Sequence, residues 1–88
     1  MINVFSSEFT DRWGTEGEIR VGWASWDEGD HKSGSVKWAY NDQAGKISRG
    51  SPEVPIDVLY AMVNFVIENE TFFPDKDREF IKLLKSIT

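Results

Sequence analysis

Glu18-Ile19-Arg20-Val21-Gly22-Trp23-Ala24-Ser25-Trp26 and Ser35-Val36-Lys37-Trp38-Ala39-Tyr40-Asn41 are the stretches that decide the fold. In the first, Ile19, Val21 and Trp23 occupy alternate positions, with Arg20, Gly22, Ala24 and Trp26 between and beyond them. In the second, Val36, Trp38 and Tyr40 alternate with Lys37, Ala39 and Asn41. Period-two alternation of β-branched and aromatic residues is the pattern of a half-buried strand. The segment between them, Asp27-Glu28-Gly29-Asp30-His31-Lys32-Ser33-Gly34, has the composition of a hairpin loop. A second turn, Asn41-Asp42-Gln43-Ala44-Gly45, leads into Lys46-Ile47-Ser48-Arg49, read as a third strand. The expectation is a three-stranded antiparallel meander. Upstream, Ile2-Asn3-Val4-Phe5 suits a fourth, short edge strand. From Ser6 to Gly17 the reading stays open between a loop and a helical turn that would drop Phe9 and Trp13 onto the core.

Downstream of the strands, Pro52 and Pro55 interrupt regular structure, because each lacks an amide hydrogen and fixes φ. Pro55 suits the first turn of a helix that the periodicity carries to about Asn69. Ile56, Leu59, Tyr60, Val63, Val66 and Ile67 form its apolar stripe, and Met62 and Phe65 lie off that stripe. After Thr71-Phe72-Phe73-Pro74 a second helix runs from about Asp75 to Ser86, with Phe80, Leu83, Leu84 and Ile87 as its stripe. Asp75 and Asp77 near its start and Lys82 and Lys85 near its end match the helix dipole. Strands followed by helices make the fold class α+β. The simplest assembly lays the Ile19, Val21, Trp23 and Val36, Trp38, Tyr40 face on the first helix and closes the core with the second.

Length and composition bound the function. The 88 residues are read as one domain, 1–88. The absence of cysteine rules out disulfide staples, thiolate zinc sites and cysteine nucleophiles. A small domain without staples relies on bulky apolar groups or on self-association, and this chain carries 4 Trp, 6 Phe and 2 Tyr. No segment approaches the roughly 18 consecutive apolar residues of a membrane span, so no membrane partner is expected. The first residues resemble no signal peptide, which leads to a cytoplasmic expectation. A net charge of −5 argues against direct binding of duplex nucleic acid. That charge is uneven: residues 31–50, with Lys32, Lys37, Lys46 and Arg49 against Asp42, form a basic middle in an acidic chain.

No catalytic or cofactor pattern stands out. His31 is the only histidine and falls in a loop, where a general base could not be held in geometry. Asp27, Glu28, Asp30 and His31 match no calcium-loop spacing. No phosphate loop is present, and no carboxylate pair sits in an apolar context that would split two pKa values. The chain is therefore expected to be no enzyme and to need no cofactor or metal.

Two binding readings remain. The first is an inhibitor or adaptor that docks on a larger protein, of the kind phages and mobile elements deploy against nucleic-acid-binding proteins. Its candidate contacts are Asp27, Glu28 and Asp30, whose charges could imitate phosphates, and the surplus apolar groups Met62 and Phe65. Glu16 with Glu18 and Glu68 with Glu70 are further acidic pairs, and Phe72 and Phe73 extend the apolar surplus. That surplus also suits a homodimer. The alternative is an oligomeric binder of a small, nucleotide-like ligand on the second face of the meander. There Arg20, Lys37 and Lys46 would edge a shallow floor with Trp26 at one end.

Overall fold

A computed structural model describes residues 1–87. The fold is α+β, a four-stranded antiparallel sheet followed by two helices. The described residues divide into two compact units, Met1–Ile56 and the helical part from Asp57 onward. The sheet comprises β1 (Ile2–Thr10), β2 (Glu16–Trp23), β3 (Gly34–Tyr40) and β4 (Glu53–Pro55), and their spatial order is their chain order.

The two deciding stretches form neighbouring strands in the register their alternation demands. Val21 pairs with Val36, Ile19 with Trp38 and Gly17 with Tyr40. Cross-strand partners share a face, so Ile19, Val21, Trp23, Val36, Trp38 and Tyr40 stand together. β1 extends the same face, with Ile2 opposite Trp23, Phe5 opposite Val21 and Phe9 opposite Gly17. Because Gly17 carries no side chain, Phe9 reaches across it and meets Trp38 edge-on, ring centroids 5.8 Å apart.

Three parts of the meander differ from expectation. The N-terminal strand does not stop at Phe5 but runs to Thr10, and 6–17 is neither helix nor open loop. Phe5, Ser7 and Phe9 alternate with Ser6, Glu8 and Thr10, and this weak period-two pattern is what the strand follows. Trp13 consequently stands at a turn tip, 83% exposed, rather than on a core. The first deciding strand ends at Trp23, since Ser25–Asp27 turns into a short 3-10 helix that takes Trp26 off the sheet. Finally, Lys46–Arg49 contributes only one bridge, Asn41 to Ile47, and the strand beside β3 is Glu53–Pro55. A strand ending in proline is tolerated there because it lies at the edge.

Two of the turns share one design. Asp11-Arg12-Trp13-Gly14-Thr15 and Asp42-Gln43-Ala44-Gly45-Lys46 each begin with an aspartate and carry glycine in the fourth place. Asp11 Oδ1 accepts the amides of Trp13 and Thr15, both at 2.9 Å. Asp42 Oδ1 accepts those of Ala44 and Lys46 at 2.9 and 3.0 Å. Gly14 and Gly45 sit at φ +86° and +79°, a left-handed conformation that glycine adopts without steric cost.

In the helical unit, α1 spans Ile56–Glu68 and α2 spans Asp75–Ile87, with a 3-10 turn, Glu70–Phe72, between them. On α1, Leu59, Val63, Val66 and Ile67 are half-buried as the stripe requires, whereas Ile56 and Tyr60 at its margin are exposed. On α2 the buried residue is Ile81, and Phe80, Leu83 and Ile87 of the expected stripe are exposed. The reason lies in the flanking charges. Arg78 Nη2 donates to the Thr71 carbonyl at 2.7 Å, and Lys85 Nζ meets Glu70 Oε1 at 2.6 Å. These two anchors lie seven residues apart on one helix face, and Ile81 falls between them.

β2 holds the sheet's tightest approaches. A Cβ at Gly22 would overlap the Ile2 carbonyl oxygen of β1, a backbone atom that no rotamer change can move. At Gly34 a Cβ would meet open space. Gly22→Ala is expected to destabilise the chain by about 1–3 kcal/mol, the usual cost of overpacking. Gly34→Ala should leave stability unchanged or slightly raised, through its effect on the unfolded chain. Urea midpoints of both variants against wild type test this, and equal midpoints for the two would contradict it.

Candidate functional site

The candidates from sequence fall into three places. Asp27, Glu28 and Asp30 share the 24–33 loop, and Met62 and Phe65 lie on α1. Arg20 and Lys37 are direct cross-strand partners on the sheet's second face.

The loop is closed by Asp27. Its Oδ2 accepts the amides of Lys32 at 2.7 Å and Ser33 at 3.1 Å. The Asp27 carbonyl accepts the amide of Asp30, and the amide of Ala24 donates to the Ser33 carbonyl. The Ser33 amide foremost, with help from Lys32 and His31, holds the Asp27 carboxyl below its ordinary value. Asp27 therefore builds the loop, while Glu28 and Asp30 project from it, both exposed. Glu28 and His31 take positive φ, +50° and +56°, an uncommon conformation for residues with a Cβ. His31 is held there flat against Trp23, centroids 5.6 Å apart with 10° between the planes. The single histidine thus has a packing role in the loop.

On the second face, the row Ser6, Arg20, Lys37, Glu53 crosses all four strands. Glu8 stands opposite Glu18 in the next row. Arg20 turns toward Glu18, its Nε and Nη2 each 2.6 Å from Oε1. Trp26 has left the sheet, and Lys46 belongs to the Asp42 turn, so the anticipated basic floor keeps Arg20 and Lys37 alone. Acids surround them instead. Glu8, Glu16 and Glu18 line a cleft of about 460 Å³ together with Asn41 and Ile47. Sequence reasoning singled out Glu16 and Glu18 but missed Glu8, because the strand that carries it was not extended past Phe5. The alternation of Phe5, Ser7 and Phe9 was the available signal.

Glu53 anchors the edge strand to this face. Its Oε1 accepts the Ser25 amide at 3.0 Å and the Ser35 hydroxyl at 3.2 Å, and its Oε2 accepts the Ser25 hydroxyl at 3.0 Å. Partial burial pushes the Glu53 carboxyl up, but these donors prevail and hold it below its ordinary value. Ser35 is almost wholly buried, so the carboxylate satisfies a hydroxyl that water does not reach.

The third place is the end of α1. Asn69 Nδ2 donates to the Phe65 carbonyl at 2.9 Å, and the Phe72 amide donates to the Asn69 carbonyl at 3.1 Å. The chain thereby turns sharply and brings Phe72 and Phe73 round beside the last helical turn. Phe65, Val66, Asn69, Phe72 and Phe73 line a groove of about 300 Å³. Phe72 and Phe73 meet edge-on at 5.3 Å. Phe65 is 67% and Phe72 83% exposed, so the aromatic walls are open to solvent. Met62, also exposed, stands one turn before Phe65.

No protein-family model, curated protein or solved structure matches this chain.

Among the described residues, no group of three or more His, Asp or Glu side chains is arranged to hold a metal ion. No described helix is long and apolar enough to cross a membrane. What the chain offers is surface: an acidic cleft on the sheet and an aromatic groove beside α1.

The carboxylate of Glu53 sets a pH dependence. A carboxyl held below its ordinary value in the folded chain stabilises the fold fully above the unfolded pKa, and this stability is lost as pH falls through the folded one. Glu53→Gln is therefore expected to lower stability at neutral pH and to converge on wild type in acid. Urea midpoints across an acid-to-neutral series measure it, and curves that stay parallel throughout would rule the account out.

Proposed function

We propose that the chain is a non-catalytic protein-binding module, an inhibitor or adaptor that docks on a larger protein. The groove at the end of α1 carries this reading. It is lined by Phe65, Phe72, Phe73 and Val66, and its one polar lining group is Asn69. Asn69 is itself engaged with the Phe65 carbonyl, which leaves an aromatic concavity for an apolar side chain of the partner. Open aromatic concavities of this kind are where binding energy concentrates at protein interfaces. Large rings supply rigid contact area at low entropic cost, and Met62 adds an adaptable neighbour.

The charge complements this anchor. A chain of net charge −5, with Glu28 and Asp30 projecting from one loop, is steered toward a basic partner. Such steering acts on the association rate and weakens with salt. A partner that normally binds nucleic acid fits that description.

The nucleotide-like alternative has less to stand on, since Trp26 and Lys46 lie outside the strands that carry Arg20 and Lys37, and Arg20 is paired with Glu18.

Removing a central aromatic from such a groove typically costs about 2 kcal/mol or more of binding, at least tenfold in affinity. Phe72→Ala is expected to lose the proteins that the wild-type chain retains from a host lysate, with its circular dichroism unchanged. Glu28→Lys with Asp30→Lys should slow association and flatten its salt dependence without emptying the groove. Equal retention by wild type and Phe72→Ala would sink the proposal.

A further inference from the structure

The two edges of the sheet are unlike. β4 is three residues long and ends in Pro55, which has no amide hydrogen to offer a further strand. β1 is nine residues long, every one of them exposed. It contains no proline, lysine or arginine, the residues that usually guard an open edge, and Glu8 is its single charge. Its one protective device is the irregularity between Asn3 and Phe5, which bends the strand near its start. From Phe5 to Thr10 the pairing with β2 is regular, and among the described residues no strand lies on the other side. That side presents a row of backbone donors and acceptors to whatever can pair with it.

We propose that two copies of the chain join through β1, antiparallel and about a two-fold axis at Ser7, into one continuous eight-stranded sheet. The residues of the strand select this occupant. An antiparallel pair related by a two-fold axis normal to the sheet keeps equivalent faces on one side, so the apolar face of each copy continues into the other. With Ser7 on the axis, Phe5 of each copy stands opposite Phe9 of the second copy, an aromatic cross-strand pair on both sides of the centre. Glu8 stands opposite Ser6 of the second copy, so no carboxylate faces its own equivalent. Phe5 and Phe9 are 71% and 51% exposed on the single chain, and this register gives Phe5 an aromatic partner and Phe9 a second one besides Trp38. The groove at the end of α1 takes no part, so this pairing and the binding of another protein stand or fall separately.

Sedimentation of the full chain across the micromolar range tests the pairing. The wild-type chain is expected to run as a dimer of 10.1 kDa subunits. Ser7→Lys and Ser7→Glu, each placing like charges across the axis, are expected to run as monomers with the strand signal of their circular dichroism intact. An equimolar mixture of the two should run as a dimer again. Ser7→Cys supplies a second measurement, since it would be the only thiol in the chain. Oxidation should link it to its equivalent in a covalent dimer, even if the charged variants fail to fold. A monomeric wild type overturns the proposal. So does a dimer that both charged variants retain, or one in which the Ser7→Cys thiols do not link.

Discussion

Backbone approach on both sides of β2 is the constraint on which the sheet rests. Gly22 admits the Ile2 carbonyl from β1, and Gly17 admits the Ala39 carbonyl from β3, where an added Cβ would lie 2.5 Å from the oxygen. One strand thus gives up a side chain near each end, once for each neighbour. Ala39 is fully buried. The same gap at Gly17 lets Phe9 reach Trp38 on the face that all three residues share. Gly17 therefore serves both the backbone spacing between β2 and β3 and the ring packing that runs across β2.

Aspartate and glutamate complete what glycine begins. Asp11 and Asp42 each gather two amides of their turns, and Asp27 gathers two from across a longer loop. Glu53 draws together Ser25 and Ser35. A carboxylate that accepts several donors is in effect a structural ligand for the backbone, and such bonds are stronger than neutral ones. This explains why an acidic chain can spend several of its negative charges inside its own architecture. Glu28 and Asp30 in the loop and Glu8 and Glu16 in the cleft stand exposed instead.

The two strands with strong alternation, their shared face and both helices were legible because apolar periodicity reports which residues share a face, even where, as at Ile19 and Val21, that face stays exposed. β1 was less legible because its pattern mixes Phe with Ser, and Ser carries little preference for either face. The edge strand at Glu53–Pro55 was hidden by its prolines, which argue against a strand unless it is known to lie at an edge. On α2 the stripe gave the apolar residues but not the orientation, which Arg78 and Lys85 set by reaching Thr71 and Glu70. For the candidate site, composition pointed to Phe65 and to its apolar neighbours. It could not show that the chain reversal at Asn69 makes a groove of them, since that depends on hydrogen bonds between residues of no marked preference. Trp26 was misplaced for a related reason. The alternation runs through it, yet the chain turns into a 3-10 helix one residue earlier, at Ser25.

Because spatial order and chain order coincide in the sheet, every strand pairs only with its neighbours in sequence. Two tight turns, each closed by its own aspartate, lie between β1 and β2 and just after β3. Nothing in this arrangement has to wait for distant parts of the chain to meet. Loop closure between near neighbours costs little entropy, and topologies made of such contacts fold fast. The hairpins can zip outward from their turns while the chain is still being made. The open flank of β1 would then spend little time in partly formed states that join other chains in the wrong register.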